Sequence, residues 1–179
     1  ITIHTGQHYD PNMSEVFFDQ LKMNKPNYML HVGSGNHGVQ TAKMMVDIEK
    51  IVEDEKPDVI CVGLYLWNHD LYKRIGTYIR ENWPEIIIIV GGPQIYAHRD
   101  PAFWQEHPWP DVLIYGEGER SFAMLLDSII DSTSITAGPV KNICFRSDDG
   151  PVVCEHERFK DPAFDVISPF LDNKQEIYD

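Results

Sequence analysis

Cysteine is scarce in this sequence, and this limits the structures that it can form. Only three of the 179 residues are cysteines: Cys61, Cys144 and Cys154. An odd number at such wide spacing forms neither a disulfide framework nor a zinc knuckle, so we expect a reducing, cytoplasmic setting. Cys61 lies in an apolar stretch, which predicts a small buried hydrophobic residue.

Basic residues and long apolar runs are also in short supply. Lysine and arginine number 15 against 28 aspartates and glutamates, which gives a net charge of -13. Such a chain repels phosphate backbones and anionic lipids, so we expect no nucleic-acid partner and no membrane association. No apolar run approaches the length of a membrane span, and no secretory signal pattern is present. The sequence opens on Ile1, and we expect a piece of a longer protein.

Residues 86–94 are the centre of the pattern that is present. Five β-branched apolar residues run from Ile86 to Val90 and lead directly into Gly91-Gly92-Pro93-Gln94. A strand apolar on both faces is typical of the middle of a parallel sheet covered by helices. Ligands of such sheets collect at the carboxyl ends of the strands, where two glycines allow a ligand or a neighbouring backbone to approach. The alternative is a plain tight turn between strand and helix.

Strand and helix patterns alternate from residue 57 to residue 130. This order predicts an α/β fold with a doubly wound, flavodoxin- or Rossmann-like, mainly parallel sheet. A further helix is predicted to begin at Ser14, and its neighbour is centred on residues 41–52. The predicted buried strands are residues 58–62, 86–90 and 111–115. Asn68 is predicted to cap the helix after the first of these strands. The helix after the last strand is predicted to bury Phe122, Leu125, Leu126, Ile129 and Ile130.

The alternation stops after residue 130. Residues 143–146 and 152–154 flank Asp-Gly turn chemistry and predict a carboxyl-terminal β-hairpin. Residues 24–36 and 95–110 contain glycine or proline and are predicted to be connections without strand or helix. The predicted organisation is a Rossmann-like domain at 1–140, the hairpin at 141–160 and an extended linker at 161–179.

Three predicted strands end in glycine: their exits are Gly63-Leu64-Tyr65, Gly91-Gly92-Pro93 and Gly116-Glu117-Gly118. Parallel strands place these exits at one edge, so we expect a groove floored by backbone and suited to a large flat or phosphate-bearing ligand. Glu117 and Glu119 have two interpretations: they act as acid and base, or they lie at a helix start, where the dipole favours negative charge.

Residues 57–171 resemble the cobalamin-binding domain that precedes the catalytic core of B12-dependent radical SAM enzymes. The matching pieces stand in the family's order: GLYLWN at 63–68, VGGPQ at 90–94, DVLIYGEGE at 111–119 and ISPFL at 167–171. The resemblance implies that cobalamin lies across the glycine exits, with its nucleotide tail beside the middle one. The implied cofactor-binding residues are Gly63, Leu64, Tyr65, Trp67, Gly91, Gly92, Pro93, Gln94, Gly116, Glu117 and Gly118.

The same resemblance implies a partner, a radical SAM catalytic domain carboxyl-terminal to residue 179. No Cys-x3-Cys-x2-Cys motif occurs, so this chain holds no iron–sulfur cluster and we expect no catalysis by it alone. The Asp-x-His-x-x-Gly motif that ligates cobalt in many B12 proteins is also absent, and no side chain is assigned as a metal ligand. The cobalt of the cofactor is the expected metal. Trp67 either covers the corrin or fills the core.

Residues 1–62 resemble a different family, the non-hydrolysing UDP-N-acetylglucosamine 2-epimerases. The matching pieces are HTGQHYD at 4–10, GSGNHG at 33–38 and EKPD at 55–58. This resemblance implies sugar-nucleotide binding through Gln7 and His8. The family's Gly-Asp-Thr turn with its catalytic carboxylate is replaced here by the first glycine exit, so the sequence reads as a chimera of an epimerase-like half (1–62) and a cobalamin-binding-like half (57–140). A folded domain with no ligand is the third alternative.

Overall fold

The computed structural model describes residues 1–6, 18, 20, 22, 24–33, 35–95, 101–132, 140–147 and 149–156. Within these residues a five-stranded mixed sheet in the order β3-β4-β5-β6-β7 lies beside a two-stranded parallel sheet of β1 and β2. The elements are β1 (Ile3–His4), β2 (Tyr28–Met29), α1 (His37–Glu55), β3 (Val59–Gly63), α2 (His69–Asn82), β4 (Ile87–Gly91), α3 (Pro101–Glu106), β5 (Val112–Ile114), α4 (Glu119–Ser132), β6 (Ile143–Ser147) and β7 (Gly150–Val153).

Strand β4 is the buried centre of the larger sheet, as its sequence predicts. It pairs in parallel with β3 on one side and with β5 on the other. Ile88 and Val90 pack on one face in the cluster that holds Ile75 and Ile79 of α2. Ile89 packs on the opposite face with residues of α4. The helices therefore cover both faces of the sheet, which confirms the predicted α/β architecture.

Helix α4 buries a narrower stripe than its sequence predicts. Leu125 and Ile129 are buried against the sheet, and Phe122 and Leu126 pack at the edge of the same cluster. Ile130 was expected on this face, but its side chain is 76% exposed. It follows Ile129 by one residue, and a step of about 100° around the helix axis turns it away from the sheet.

The predicted hairpin closes the sheet on its far side. Strand β6 pairs antiparallel with β5, and β7 pairs antiparallel with β6. Two antiparallel steps give β7 the direction of β5. The residues that follow β7 therefore reach the same edge of the sheet as the glycine exit that follows β5.

Strand β3 is an edge strand in the described part of the chain, and this corrects one prediction. It pairs with β4 alone, and Cys61 is exposed instead of buried. The apolar run that predicted burial is real, but burial also requires a neighbouring strand on the other side. A largely apolar groove of about 500 Å³ lies there, lined by residues of both β1 and β3.

Two segments predicted as irregular connections contain short elements. Strand β2 lies within 24–36 and pairs with β1, where Ile3 is opposite Tyr28. Helix α3 lies within 95–110, begins at Pro101, a favourable first helical residue, and buries Trp104. Elements of two and six residues are too short to produce a periodic sequence signal. The helix expected from Ser14 and the linker expected at 161–179 fall largely or wholly outside the described residues.

Candidate functional site

The structure brings the glycine exits of β3 and β4 side by side. Gly63 and Gly91 are partners in the parallel register of the two strands. Strand β5 pairs with the other side of β4 and ends at Ile114, two residues before Gly116. The three exits thus share one edge of the sheet, as the sequence predicts.

The middle exit is packed against its own chain. Gly92 has a φ of 119°, and a Cβ placed on it would meet the backbone of Leu64, with the Leu64 nitrogen 2.9 Å away. That nitrogen donates a hydrogen bond of 2.6 Å to the carbonyl oxygen of Gly91. The backbone that approaches Gly92 is therefore that of the neighbouring exit. Pro93 is exposed and Gln94 half-buried, and Ile95 closes the turn by donating to the Gly92 oxygen at 3.0 Å.

The third exit leads into helix α4. Gly116 has a φ of 73°, which favours glycine, and a Cβ on Gly118 would lie 3.2 Å from the Ile114 side chain. Glu117 is exposed, and Glu119 is the first residue of α4. The position of Glu119 agrees with the helix-start interpretation, in which its charge faces the positive end of the dipole.

The first exit carries an exposed aromatic surface. The rings of Tyr65 and Trp67 stack with centroids 4.8 Å apart and planes 18° apart. Trp67 is 77% exposed and Leu66 is 76% exposed. We call Tyr65, Leu66 and Trp67 the aromatic platform. Because Trp67 faces solvent, the interpretation that it fills the core is wrong.

Asn68 holds this loop in shape. Its Oδ1 accepts a hydrogen bond of 2.7 Å from the Tyr65 nitrogen, and its Nδ2 donates to the Gly63 oxygen at 3.1 Å. The sequence predicts Asn68 as the cap of α2, and it does precede the helix, but its side chain makes no capping bond. The side chain instead ties the strand end to the platform.

A second polar unit at this edge consists of residues that belong to no sequence motif. Asn142 is fully buried with a φ of 56°, and its Oδ1 lies 2.8 Å from Nδ1 of His156. Its backbone accepts from the Tyr115 nitrogen at 3.0 Å and donates to the Glu155 oxygen at 3.1 Å. No local pattern signals this arrangement, because it joins residues far apart in the chain.

The thiols of Cys154 and Cys61 have raised pKa values, which favour the protonated form. Burial raises the pKa of the Cys154 thiol, and the positive charge of Lys141 only partly opposes this. Partial desolvation beside the apolar groove also raises the pKa of Cys61, although the residue remains exposed. In the part of the chain that the structure describes, no group of three or more His, Cys, Asp or Glu residues could hold a metal ion.

No helix among the described residues is long and apolar enough to cross a membrane. Gln7 and His8 lie outside the described residues.

The amino-terminal part of the chain resembles one family. Residues 1–63 match the family described as UDP-N-acetylglucosamine 2-epimerase. The UDP-N-acetylglucosamine 2-epimerase of Methanocaldococcus jannaschii is 53% identical over 60 residues, which is 34% of this chain and 16% of that protein.

The chain also resembles a second class of protein. The cobalamin-dependent radical SAM methyltransferase TokK of Streptomyces tokunonensis is 31% identical over 117 residues, or 65% of this chain and 17% of that protein. The solved structure of the cobalamin-dependent S-adenosylmethionine radical enzyme OxsB, with aqua-cobalamin and S-adenosylmethionine bound, covers 80% of this chain and 19% of its own, with a TM-score of 0.53 and 18% identity. That likeness shows the Rossmann-like fold alone.

Both predicted resemblances are thereby confirmed, and one chain carries both. The matched stretches span about a sixth of each curated relative, 16% and 17%.

Proposed function

We propose that this chain is the cobalamin-binding module of a radical SAM-type enzyme whose iron–sulfur core lies in another domain. The observation that carries the proposal is the aromatic platform at the edge of the sheet. Large apolar side chains that stack on each other in water mark a binding surface more often than scattered exposure does. The names of relatives such as TokK support cobalamin as the ligand.

The glycine exits contribute less to this proposal than the platform does. The chain itself explains Gly92 and Gly118, because Leu64 and Ile114 occupy the space beside them. Gly91 differs, because a Cβ there would make only ordinary contacts, the nearest at 4.0 Å. The platform has no such internal explanation, since Leu66 and Trp67 are more than three-quarters exposed.

The residues present fit a corrinoid in character. The platform would cover an apolar face of the corrin, and the exits from Gly91 to Gln94 and from Gly116 to Gly118 would border the nucleotide tail. Bound cobalamin would supply a cobalt-carried methyl group to chemistry in the catalytic domain. This chain would bind and orient the cofactor and keep water from one face of it.

The proposal is tested by mixing the purified chain with hydroxocobalamin and following corrinoid absorbance through gel filtration. Corrinoid should co-elute at micromolar concentration. Trp67→Ala should weaken the affinity about tenfold, because it removes a stacked aromatic surface. Ile130→Ala is the matched control, since Ile130 is an equally exposed apolar side chain on α4. Absence of corrinoid from the protein peak, or equal loss in both variants, would count against the proposal.

A second candidate is a sugar-nucleotide-binding fragment, favoured by the 53% identity to an epimerase over 60 residues. Titration calorimetry with UDP-N-acetylglucosamine tests it. Heat of binding that disappears in His8→Ala and Gln7→Ala would support this function. A flat titration would remove it, and a flat titration together with no corrinoid binding would leave a folded domain without either ligand.

A further inference from the structure

Strand β3 lacks the features of a natural sheet edge. It consists of four apolar residues and a glycine, and it pairs with β4 in an unbroken register. Natural edge strands usually carry a charged residue, a proline or a bulge, which discourages further pairing. Strand β7, at the other edge of the described sheet, contains Pro151. Strand β3 therefore has the character of an interior strand.

The free side of β3 presents hydrogen-bonding groups to the apolar groove. The Asp58 oxygen and the Leu64 nitrogen both bond to β4. The peptide groups of successive residues in a paired strand point to opposite sides, so those of Val59 and Cys61 point away from β4. Both residues line the groove.

Strand β1 borders the same groove. The oxygens of Thr2 and His4 accept hydrogen bonds from the β2 side. Ile3 lies between them, so its peptide groups point away from β2. Ile3 lines the groove together with Val59 and Cys61. Two strands thus border the groove, each with peptide groups on the side opposite its described neighbour.

Helices cover the groove from both faces of the sheet. Its lining includes residues of α1 and α2, which pack on one face, and Phe122 and Leu126 of α4, which packs on the other. A strand residue occupies about 160 Å³, given a rise of about 3.3 Å, a strand spacing of about 4.8 Å and about 10 Å between packed layers. The groove of about 500 Å³ therefore accommodates about three residues of one strand.

The connections of the chain indicate the direction of such a strand. Strands β1 and β2 are parallel, and β2 leads through α1 into β3. A crossover through a helix joins parallel strands, so β1, β2 and β3 run the same way. Strands that are consecutive in sequence are neighbours in the sheet roughly two-thirds of the time. A strand directly before β1 is therefore expected on the free side of β1, where the groove lies.

We propose that the apolar groove holds one further parallel β-strand, apolar on both faces and supplied by a strand and helix that precede Ile1. An acyl chain would cover the apolar helices but would leave the peptide groups of Ile3, Val59 and Cys61 without partners, which is costly once water is excluded. A strand covers the helices and pairs with both walls. A run of valine and isoleucine suits it, because helices lie on each face. This inference does not depend on cobalamin binding.

A strand fused to the amino terminus of the full chain tests the proposal, with Cys61 as the reporter. The fused strand is Val-Ile-Val-Ile-Val, joined to Ile1 by a Gly/Ser linker of about 12 residues in place of the helix. The linker has a root-mean-square span of about 19 Å, enough to return along a strand of about 17 Å. Alkylation of Cys61 by iodoacetamide should become at least about tenfold slower, because the thiol reacts only when the strand opens. Cys154, in the hairpin on the far side of the sheet, is the internal reference and should not change.

Two further fusions are the matched controls. Val-Pro-Val-Pro-Val in the same position cannot pair inside a sheet, because proline has no N–H to donate. An Asn-Gly linker makes a tight hairpin and forces the strand antiparallel to β1. Neither fusion should protect Cys61. Val-Thr-Val-Thr-Val replaces the strand if the first fusion aggregates in gel filtration. Hydrogen exchange of the Val59 and Cys61 amides, which should slow in the strand fusion alone, separates backbone pairing from simple covering of the thiol.

Each outcome supports or overturns the proposal. Unchanged labelling of Cys61 in the strand fusion would overturn it, and equal slowing in the proline fusion would reduce the groove to an apolar pocket. Protection through the Asn-Gly linker would overturn the parallel direction. Equal protection by the free Val-Ile-Val-Ile-Val peptide at micromolar concentration would assign the groove to a strand of a separate protein and overturn the amino-terminal source. The corrinoid test of the proposed function is read separately, so either can fail alone.

Discussion

The backbone of Leu64 occupies the space beside Gly92 in which any other residue would place its Cβ. The Leu64 nitrogen is 2.9 Å and its carbonyl carbon 3.1 Å from that point, and the φ of Gly92 is 119°. We therefore expect Gly92→Ala to lower the free energy of unfolding by about 3 kcal/mol, from backbone strain and overpacking together. Urea denaturation followed by circular dichroism measures it.

Gly38→Ala is the control for that substitution. Gly38 lies in α1, and a Cβ on it would meet nothing within 4 Å. Alanine is the better helix former, so this variant should be stabilised by about 0.5 kcal/mol. If Gly92→Ala is as stable as Gly38→Ala, the β3 and β4 exits are not packed as described. A binding defect in a Gly92 variant would not identify a ligand contact, because the fold is disturbed first.

Gly76 and Trp109 form a second close pair, between α2 and the segment before β5. A Cβ on Gly76 would lie 2.6 Å from Cδ2 and 2.9 Å from Cζ3 of the buried Trp109 ring. Gly76→Ala should cost about 2 kcal/mol despite its higher helix propensity. In Trp109→Leu the smaller side chain makes room, so adding Gly76→Ala to that background should cost much less. Additive effects in this double-mutant cycle would show that the two residues do not contact each other.

The sequence predicts the centre of the fold because the relevant signals are local. The β-branched run before Gly91 predicts β4, and Asp-Gly turn chemistry predicts the hairpin of β6 and β7. The exposure of Cys61 could not be predicted in this way, because it depends on whether another strand covers the edge of β3. Local patterns explain elements, whereas edges depend on the assembled sheet.

The candidate site likewise combines features with local sequence signals and features that depend on the assembled sheet. The glycine exits and Trp67 are contiguous motifs and were predicted, although the exposure that decides the role of Trp67 required the structure. The pair of Asn142 and His156 was missed, because it becomes visible only when β7 returns to the edge at which β5 ends. Neither residue belongs to a motif of its own.

The left-handed backbone of Asn142 should reverse the usual order of stability of glycine and alanine variants. Its side chain bonds to His156 while its backbone φ is 56°, a conformation that alanine adopts with strain and glycine adopts freely. Asn142→Gly should therefore be more stable than Asn142→Ala by about 1 kcal/mol, although glycine is normally the more destabilising replacement. Thermal unfolding of both variants measures the order. The reverse order would mean that the left-handed conformation does not persist in solution.

Asp111 joins the start of β5 to β4 and α2. Its Oδ2 accepts a hydrogen bond of 2.7 Å from the Ile88 nitrogen and also pairs with Arg80. Asp111→Ala removes the acceptor of that nitrogen and the carboxylate partner of Arg80, whose guanidinium keeps only its bonds to the Pro84 and Trp109 oxygens, and should cost about 2 kcal/mol. Glu155→Gln is the control, because Glu155 pairs with Lys141 at the surface and its loss should change unfolding little. Equal effects of the two variants would contradict the assignment.

The three cysteines report whether β3 is an exposed edge in solution. Cys61 is exposed, Cys154 half-buried and Cys144 fully buried, so alkylation by iodoacetamide should proceed in that order. Partial desolvation beside the apolar groove raises the pKa of the Cys61 thiol, so its thiolate fraction is smaller than that of free cysteine at neutral pH. Its labelling should be slower than that of free cysteine near pH 7 and should accelerate as the pH rises through the elevated pKa.

Mass spectrometry of timed samples measures the labelling rate at each cysteine, with the urea-unfolded chain as the reference in which the three rates converge. Labelling of Cys144 as fast as Cys61 in the folded chain would show that the edge of β3 is covered or that the sheet opens.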